Sequence, residues 1–440
     1  MDRLTVITCD THAGPPTPVY REYLEKRFFS ELDAYLAERD RARAAAAAVA
    51  AAGKKRSVIW DKRFLEDFLH EPARHPGGPE GGWDFELRRK ELETDGVVAE
   101  VIFPGPANID VETSIPFLGG AFFGDLFSVE YSTEAAWAGA HAYHRWLAER
   151  IDSRRQAALA LIPSTKDIDR VLTELHWAAD NGFRGFVLRP GEDGLPLLHD
   201  SRYEPLWATA AELGLILHFH GGIGVPVDKA DSPAAMTVGS IETAWWNYRP
   251  LWYLMFGGVF ERHPELKVVF TEGSASWVPS IVDEMDVRYE DEWMVFKDLI
   301  ANPPSFYWGR QCHVGASFMS RAEVELRDLI GEQNMMFGSD YPHVEGTWPR
   351  TASFLRESLA GCNEHVARTL CAENTARVYG FDLDYLDGLA AEVGPTTSSV
   401  VGGTPSPAAA ISDDRMVARA ARPASWVMAG VPRGFTRVQP

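Results

Sequence analysis

FGSDYPHVEGTWP, residues 337–349, joins the end of a short apolar run to a turn rich in ionisable side chains. The run stops at Gly338, and Asp340, His343 and Glu345 then follow within six positions. A buried strand that ends in a carboxylate and an imidazole is typical of parallel barrels, which carry metal ligands at the carboxyl ends of their strands. An exposed polar turn would also explain the Gly, Ser and Pro, so other strand ends must decide between the two.

Apolar runs of strand length recur along the chain and alternate with amphipathic stretches. The eight predicted strands cover residues 4–9, 97–103, 157–162, 185–188, 215–219, 268–271, 312–315 and 335–337. Predicted helices between them include 167–181, 203–213, 274–291 and 320–330. Alternating strands and helices predict a parallel α/β fold, and eight units predict a closed (β/α)8 TIM barrel.

Three long insertions follow predicted strands 1, 2 and 5, at residues 15–96, 105–133 and 221–249. Because they follow strands, we expect all three to lie over the carboxyl-terminal mouth of the barrel as lids or substrate walls. The third contains Trp245, Trp246 and Tyr248, which would either line an aromatic pocket or pack the insertion onto the barrel.

The character of the sequence changes near residue 390. Residues 391–440 are rich in Gly, Pro, Ser, Thr and Ala and show little periodicity. We therefore expect residues 1–390 to form the barrel. Residues 391–440 would form a flexible tail, or an arm that orders against the body or another subunit.

Composition restricts the partners of the protein. The chain has 440 residues, 45% hydrophobic and 24% charged, with 43 basic and 63 acidic residues and a net charge of −20. A phosphate backbone needs clustered Lys and Arg, so nucleic-acid binding is not expected. The N-terminus has no signal-peptide pattern, the Ala-rich stretch at 44–52 is too short to span a bilayer, and the four cysteines suggest no disulfide framework. We expect a cytoplasmic protein that acts on a small molecule.

Ionisable residues end five of the eight predicted strands. They are Asp10 and His12 on strand 1, Glu100 on strand 2, His218 and His220 on strand 5, Glu272 on strand 6, and Asp340 with the nearby His343 and Glu345 on strand 8. The pairs at positions i and i+2 each share one face of a strand. Strand ends of a barrel converge on one mouth, so the sequence predicts a shared metal site there.

Glu100 has a second interpretation. It lies among Val, Ala, Ile and Phe, where an unpaired charge would be costly. A metal ion would compensate the charge, and so would a salt bridge to a neighbouring strand.

Four motifs resemble those of the amidohydrolase superfamily. They are DTHAG at 10–14, GGVFERHPELKVVFTEG at 257–273, FGSDYPH at 337–343 and ENTARVYGFD at 373–382. The chain is most similar to the amidohydrolase-2 branch, which includes aminocarboxymuconate-semialdehyde decarboxylase, over about residues 4–381. The resemblance implies a metal-dependent (β/α)8 barrel and makes a homodimer an open alternative.

The resemblance also implies a ligand set, which this chain matches in part. His12 takes the place of the first strand-1 histidine, but Gly14 stands where the second is expected. Either His218 or His220 matches strand 5, and Asp340 matches strand 8. Glu272 replaces the strand-6 histidine, and Glu100 and His343 are additional candidates.

These departures make the set richer in oxygen donors, which favours iron or manganese over zinc and suits two metals. The leading hypothesis is a non-heme diiron oxygenase that uses O2, as in one branch of this fold. Its ligands would be His12, Glu100, His218, His220, Glu272, Asp340 and His343, and Glu345 or His313 would orient oxygen or substrate.

Two alternatives stay open. The first is a hydrolase or non-oxidative decarboxylase in which Asp340 accepts a proton from metal-bound water. The second is a metal-free barrel that only binds a ligand. The substrate of either enzyme would be a small, aromatic or carboxylate-bearing molecule.

Overall fold

The computed structural model describes residues 2–51, 78–105, 114–118, 131–192, 194–224, 233–343, 346–403 and residue 420. Eight parallel strands follow one another around a single sheet in the order β1 to β8. Their bounds are β1 Ile7–Ala13, β2 Ala99–Pro104, β3 Gln156–Leu161, β4 Gly185–Val187, β5 Ile216–His220, β6 Val268–Thr271, β7 Cys312–Ser317 and β8 Met335–Gly338. A parallel bridge between Thr11 and Tyr341 brings the β8 side back to β1. The predicted TIM barrel is therefore confirmed.

Helices cover the outside of the barrel and form the insertions. Those before β5 are α1 Phe29–Ala51, α2 Phe85–Thr94, α3 Thr133–Ala148, α4 Ile168–Asp180 and α5 Glu204–Leu213. Those between β5 and β8 are α6 Pro233–Tyr248, α7 Pro250–Phe256, α8 Val259–Arg262, α9 Val278–Asp291, α10 Trp293–Phe296, α11 Pro304–Gln311, α12 Arg321–Glu325 and α13 Arg327–Ile330. The last are α14 Thr351–Ser358, α15 Glu364–Arg368, a π-helical turn Thr369–Glu373, α16 Asn374–Tyr379, α17 Leu383–Val393 and α18 Thr397–Val400.

The core lies inside the barrel and between the barrel and its helices. Strand side chains such as Val101, Leu159, Phe219 and Val314 are fully buried. Strands enclosed on both faces read as nearly continuous apolar runs, which is why the sequence reveals them. No helix in the described part of the chain is long and apolar enough to cross a membrane.

Strand β1 differs from its prediction in a way that affects the site. It was expected at 4–9 but runs from Ile7 to Ala13, so Asp10 and His12 lie within the strand. A strand holds alternate side chains on the same face, so these two residues both face the barrel interior.

The segment after residue 390 begins as part of the folded body. The amide of Leu4 donates to the carbonyl of Pro395 at 2.9 Å, and Thr397 donates to Asp2 at 2.9 Å. Residues up to 403 therefore pack against the barrel. The rest of the predicted tail lies outside the described residues, apart from residue 420.

Candidate metal centre

The barrel closes between β8 and β1, and this closure brings Asp340 next to Asp10 and His12. The amide of Asp340 donates to the carbonyl of Asp10 at 2.9 Å, and the amide of His12 donates to the carbonyl of Tyr341 at 2.7 Å. A Cβ added at Gly338 would lie 2.9 Å from the Asp10 Cβ, so a larger residue there would push Asp10 away. Asp340 itself has a φ of 57°, a left-handed conformation that non-glycine residues adopt mainly where the surroundings impose it.

His12, Asp340 and His343 form the centre of the cluster. The Nε2 of His12 and the Nδ1 of His343 each lie 3.1 Å from the same Oδ1 of Asp340. The two imidazole rings stack with centroids 4.1 Å apart. None of the described residues lies in hydrogen-bond geometry with either nitrogen of His12 or either carboxylate oxygen of Asp340, although all four atoms are buried. Buried polar atoms normally have partners, so this arrangement is typical of ligands that converge on a cation.

His220 adds a ligand atom from β5. Its Nδ1 lies 2.8 Å from the carbonyl of Gly221, which can only accept, so Nδ1 carries the hydrogen. Its Nε2 faces Oδ1 of Asp10 at 3.4 Å, where it can hold either a proton or a metal ion. Two acceptors at this distance repel each other unless a proton or a metal ion lies between them.

Asp10 belongs to this cluster but was absent from the predicted ligand set. It is fully buried, its Oδ1 lies 3.7 Å from Nε2 of His12, and its Oδ2 accepts a hydrogen bond from Ser317. Asp10 with His12 and His220, and His12 with Asp340 and His343, each bring their ligand atoms within 4.8 Å of one another. The spacing of Asp10 and His12 on one strand face was the signal that could have identified it.

Glu272 approaches the cluster from the end of β6. Its Oε2 lies 3.3 Å from Nδ1 of His220, and its side chain is 22% exposed. Like Asp340 it has a positive φ, of 56°. It therefore lies on the open side of the cluster, where a substrate can reach it.

Burial and close packing shift the titration of these groups. Burial and the neighbouring His343 lower the pKa of His12 to about 4. Burial would raise the pKa of Asp340, but His343 and His12 hold it well below its usual range. Burial opposes the charge of His220, yet Glu272 and Asp10 raise its pKa to about 9. Burial raises the pKa of Glu272 well above its ordinary value. Such opposed shifts in one cleft are typical of functional sites.

The structure places Glu100 in an ion pair instead of this cluster. Arg88 of α2, itself fully buried, donates through Nε to both carboxylate oxygens of Glu100 at 2.9 and 3.0 Å and through Nη2 to Oε2 at 2.6 Å. Thr11 donates to Oε2 at 2.8 Å and Gln156 donates to Oε1 at 2.7 Å. Both oxygens are thus occupied by protein donors, and we remove Glu100 from the ligand set. The salt bridge is the alternative raised by the sequence, but its partner comes from a helix and not a strand.

Two further predicted site residues, His218 and His313, lie deeper in the barrel than the cluster at its mouth. His218 pairs in register with Val269 on β6, and Val269 pairs with His313 on β7, so the two histidines share a level. This level is two residues, roughly 7 Å, below His220. His313 is also four residues, about 13 Å, below Ser317, so it is too deep to orient a substrate at the mouth. Glu345 lies outside the described residues.

His218 is buried in the barrel interior. Its ring centroid lies 5.3 Å from that of Phe103 and 5.8 Å from that of Tyr379, a residue of α16. It shares a strand face with His220 but takes part in neither close group of ligand atoms. Of the two strand-5 candidates, the geometry favours His220.

A second histidine and carboxylate cluster lies between α3 and α4. Nδ1 of His141 and Nδ1 of His144 lie 3.0 and 2.6 Å from Oε1 of Glu174. The amide of Leu161 donates to Nε2 of His144 at 2.8 Å, so His144 carries its hydrogen on Nδ1 and donates it to Glu174. Both nitrogens of His144 are therefore used by the protein, and this cluster ties two helices to the barrel without a metal.

Comparisons with known proteins agree with this architecture. A family model described as amidohydrolase matches residues 116–381, which is more than half of the chain. The chain therefore belongs to the amidohydrolase family, as the sequence resemblance implied.

Solved structures of similar fold support the same architecture. An amidohydrolase from Mycobacterium avium subsp. paratuberculosis is 19% identical, with a TM-score of 0.59 over 86% of this chain and 99% of that chain. A 2,6-dihydroxybenzoate decarboxylase from Rhizobium is 16% identical, with a TM-score of 0.56 over 87% and 99%. A 5-carboxyvanillate decarboxylase from Novosphingobium aromaticivorans, complexed with manganese and 4-hydroxy-3-methoxy-5-nitrobenzoic acid, is 14% identical, with a TM-score of 0.57 over 86% and 96%.

Proposed function

We propose that this protein is a divalent-metal-dependent, non-oxidative decarboxylase of a small aromatic carboxylic acid. The observation that carries the proposal is the buried cluster in which His12 and Asp340 present four polar atoms that no group in the described part of the chain satisfies. The two decarboxylases of similar fold act, by their names, on hydroxylated aromatic acids.

The donor set fits one divalent ion. Asp10, His12, His220 and Asp340 would hold it, with His343 beside them. Two carboxylates and two imidazoles are a mixed set that suits manganese, zinc or iron, and one similar structure contains manganese. When bound, the ion supplies positive charge that orients and polarises an oxygen of the substrate.

The residues of the chain supply the rest of the chemistry. Decarboxylation breaks the bond between the ring and the carboxylate, releases CO2 and leaves an electron pair on the ring carbon that must take up a proton. Glu272 and His343 are the cluster members with exposed side-chain surface, 22% and 14%. We assign the delivery of this proton to one of these two residues, because a substrate in the mouth can contact both.

The hypothesis of a diiron oxygenase has lost one of the observations that supported it. It rested on Glu100 and Glu272 as added oxygen donors, and Glu100 is held by Arg88. Structures of similar fold include a 5-carboxyvanillate decarboxylase and a 2,6-dihydroxybenzoate decarboxylase. The alternative of a non-oxidative enzyme therefore has the better support.

The test is anaerobic turnover of metal-reconstituted protein. Metal-depleted enzyme would be loaded separately with Mn(II), Zn(II) and Fe(II) and incubated in D2O with 2,6-dihydroxybenzoate, 5-carboxyvanillate and related hydroxybenzoates. We expect one CO2 for each product molecule and one deuterium on the ring carbon that lost the carboxylate. Product formed only in air, with matching O2 consumption by the Fe(II) form, would refute the proposal in favour of an oxygenase. Hydrolysis of ester or amide analogues without CO2 release would refute it in favour of a hydrolase.

A further inference from the structure

Arg88 of α2 lies behind the strands that carry the proposed metal ligands. It is fully buried, and its Nη1 donates to the carbonyl of His12 at 2.8 Å and to the carbonyl of Gly81 at 3.2 Å. The other two nitrogens, Nε and Nη2, donate to the carboxylate of Glu100. One guanidinium therefore joins the backbone of a proposed ligand to a buried ion pair.

The backbone of His12 is held at both of its polar groups. Its amide donates to the carbonyl of Tyr341 at 2.7 Å, and its carbonyl accepts from Arg88. The guanidinium also lies over the ring of Tyr341, 4.9 Å from the centroid. Because Tyr341 directly follows Asp340, Arg88 contacts both chain segments whose side chains meet at the centre of the cluster.

The imidazole of His12 lacks the support that a ligating histidine usually has. Such a histidine donates its second ring nitrogen to a carboxylate or a carbonyl, which orients the ring. His220 follows this pattern through Gly221. In His12, Nε2 faces the cluster, and no group in the described part of the chain lies in hydrogen-bond geometry with Nδ1. The orientation of this ring therefore depends on its stacking on His343 and on the position of its backbone.

The segment before α2 packs against the same strand end. The amide of Gly14 donates to the carbonyl of Gly82 at 3.0 Å. A Cβ added at Gly81 would overlap the hydroxyl of Tyr341, a fully buried residue. Arg88 therefore acts inside a close contact between the insertion after β1 and the ends of β1 and β8.

We propose that Arg88 is a positioning residue of the metal centre, which holds the backbone of His12 so that its imidazole meets Asp340 on one divalent ion. The inference rests on the metal centre of the proposed function and not on the reaction. Its consequence is that metal affinity depends on the bond from Arg88 to the carbonyl of His12, whereas stability depends on the pairing of Arg88 with Glu100.

Two variants separate these roles. Glu100→Gln keeps Arg88 in place, with an amide oxygen to accept from it, so Nη1 can still donate to the carbonyl of His12. Arg88→Met combined with Glu100→Leu removes the whole ion pair and the bond to His12 with it. Replacing both members of a buried ion pair by apolar side chains costs little stability, while removing one member is costly.

The other two donors to Glu100 tolerate the double change. Thr11 also donates to the carbonyl of Val101 at 2.8 Å. Gln156 is partly exposed, so water can replace the carboxylate as the acceptor for its amide. The double variant is therefore expected to fold.

Co(II) titration of metal-free protein, followed by visible absorption, measures the affinity and the ligand geometry together. We expect the double variant to bind Co(II) about tenfold more weakly than the wild type, and Glu100→Gln to bind it as the wild type does. In urea unfolding, the midpoint should fall further in Glu100→Gln than in the double variant. A general loosening of the fold would instead weaken metal binding most in the least stable variant.

Arg88→Lys is a second test that leaves Glu100 in place. The ammonium keeps a positive charge, but as a compact point charge it cannot span the carboxylate and the carbonyl of His12 as the planar guanidinium does. Co(II) affinity should fall about tenfold, and the visible spectrum of bound Co(II) should shift. The matched control is Arg89→Met combined with Glu86→Leu, an exposed ion pair on the same helix, which should leave the affinity and the spectrum unchanged.

Three outcomes would overturn the inference. One is wild-type Co(II) affinity and spectrum in both Arg88 variants. Another is a loss of affinity that follows the loss of stability across all variants, Glu100→Gln included. The third is wild-type protein that binds no divalent ion, which would refute the metal centre as well. The first two outcomes leave the proposed decarboxylase standing, so the failure of one proposal can be distinguished from the failure of the other.

Discussion

Two clusters in the described part of the chain are built from the same residue types, and of these two the one at the mouth has the properties of a metal site. At the mouth, no donor or acceptor among the described residues satisfies the nitrogens of His12 or the oxygens of Asp340. Between α3 and α4, His144 is bonded on one side to Leu161 and on the other to Glu174. Residue type and spacing are thus insufficient to define a metal ligand. The deciding properties are whether the protein already satisfies the donor atom and whether that atom converges with others in one close group.

The largest expected effect comes from removing the central carboxylate of the mouth cluster. Asp340→Asn should lower the affinity for the divalent ion at least tenfold, because a neutral amide replaces the oxygen that both His12 and His343 approach. Decarboxylation should fall at least a thousandfold, or about 4 kcal/mol. Metal titration by calorimetry measures the first effect. Asp328→Asn, an exposed aspartate on α13, should bind metal as the wild type does, and an equal loss in both variants would remove Asp340 from the site.

Glu100→Gln tests whether Glu100 is the partner in an ion pair or a metal ligand. It should lower the free energy of unfolding by about 3–5 kcal/mol, since Arg88 would remain buried without its counter-charge. Metal stoichiometry should stay unchanged. Denaturant unfolding and metal analysis of the same samples give the two readouts, with Glu86→Gln as the exposed control. If metal binding were lost while stability was retained, Glu100 would be a ligand after all.

His144→Ala tests the cluster that we consider structural. The change should cost about 2–4 kcal/mol of stability, because it leaves a cavity, unpairs the amide of Leu161 and removes one of the two imidazole partners of Oε1 of Glu174. The exposed His176 lies on the same helix as Glu174, and His176→Ala should cost less than about 0.5 kcal/mol. Metal content should be equal in both variants, and a selective loss in His144→Ala would make this cluster a second metal site.

The smallest expected effect is a pH dependence at Glu174. Burial would raise the pKa of this carboxyl, but His141 and His144 hold it well below its ordinary value of 4.5. A carboxyl with a lowered pKa in the folded state contributes stability above its unfolded pKa, and this contribution falls as the pH drops below about 4.5. Between pH 5 and pH 3 the wild type should therefore lose about 2 kcal/mol more than Glu174→Gln. Parallel curves for the two proteins would contradict the hydrogen bonding of His141 and His144 to the carboxylate of Glu174.

The barrel could be predicted because its strands are buried on both faces. Runs such as those of β5 and β6 are continuous and apolar, so their positions follow from hydrophobicity alone. The ionisable residues at their ends were found for the same reason, since a charge after an apolar run is costly unless it has a function. Asp340, His12, His220 and Glu272 were all identified in this way.

The hydrogen-bond partners of these residues and their depth in the barrel could not be predicted from the strand sequences alone. Arg88 lies 12 residues before Glu100 on a helix, and only the packing of α2 brings its guanidinium onto the carboxylate. His218 and His220 have the same periodicity, but the register with β6 and β7 places one at the level of His313 and the other at the mouth. Asp10 enters the cluster because β1 extends to Ala13 and closes against Tyr341.

The sequence by itself determined the fold class and the strand ends that carry ionisable groups, because burial and side-chain alternation are local properties of the chain. The tertiary structure alone decided which of those groups are satisfied by other side chains and which converge with buried, unsatisfied ligand atoms. Hydrogen bonding and proximity across the barrel depend on strand register and helix packing, which bring together residues that are distant in sequence.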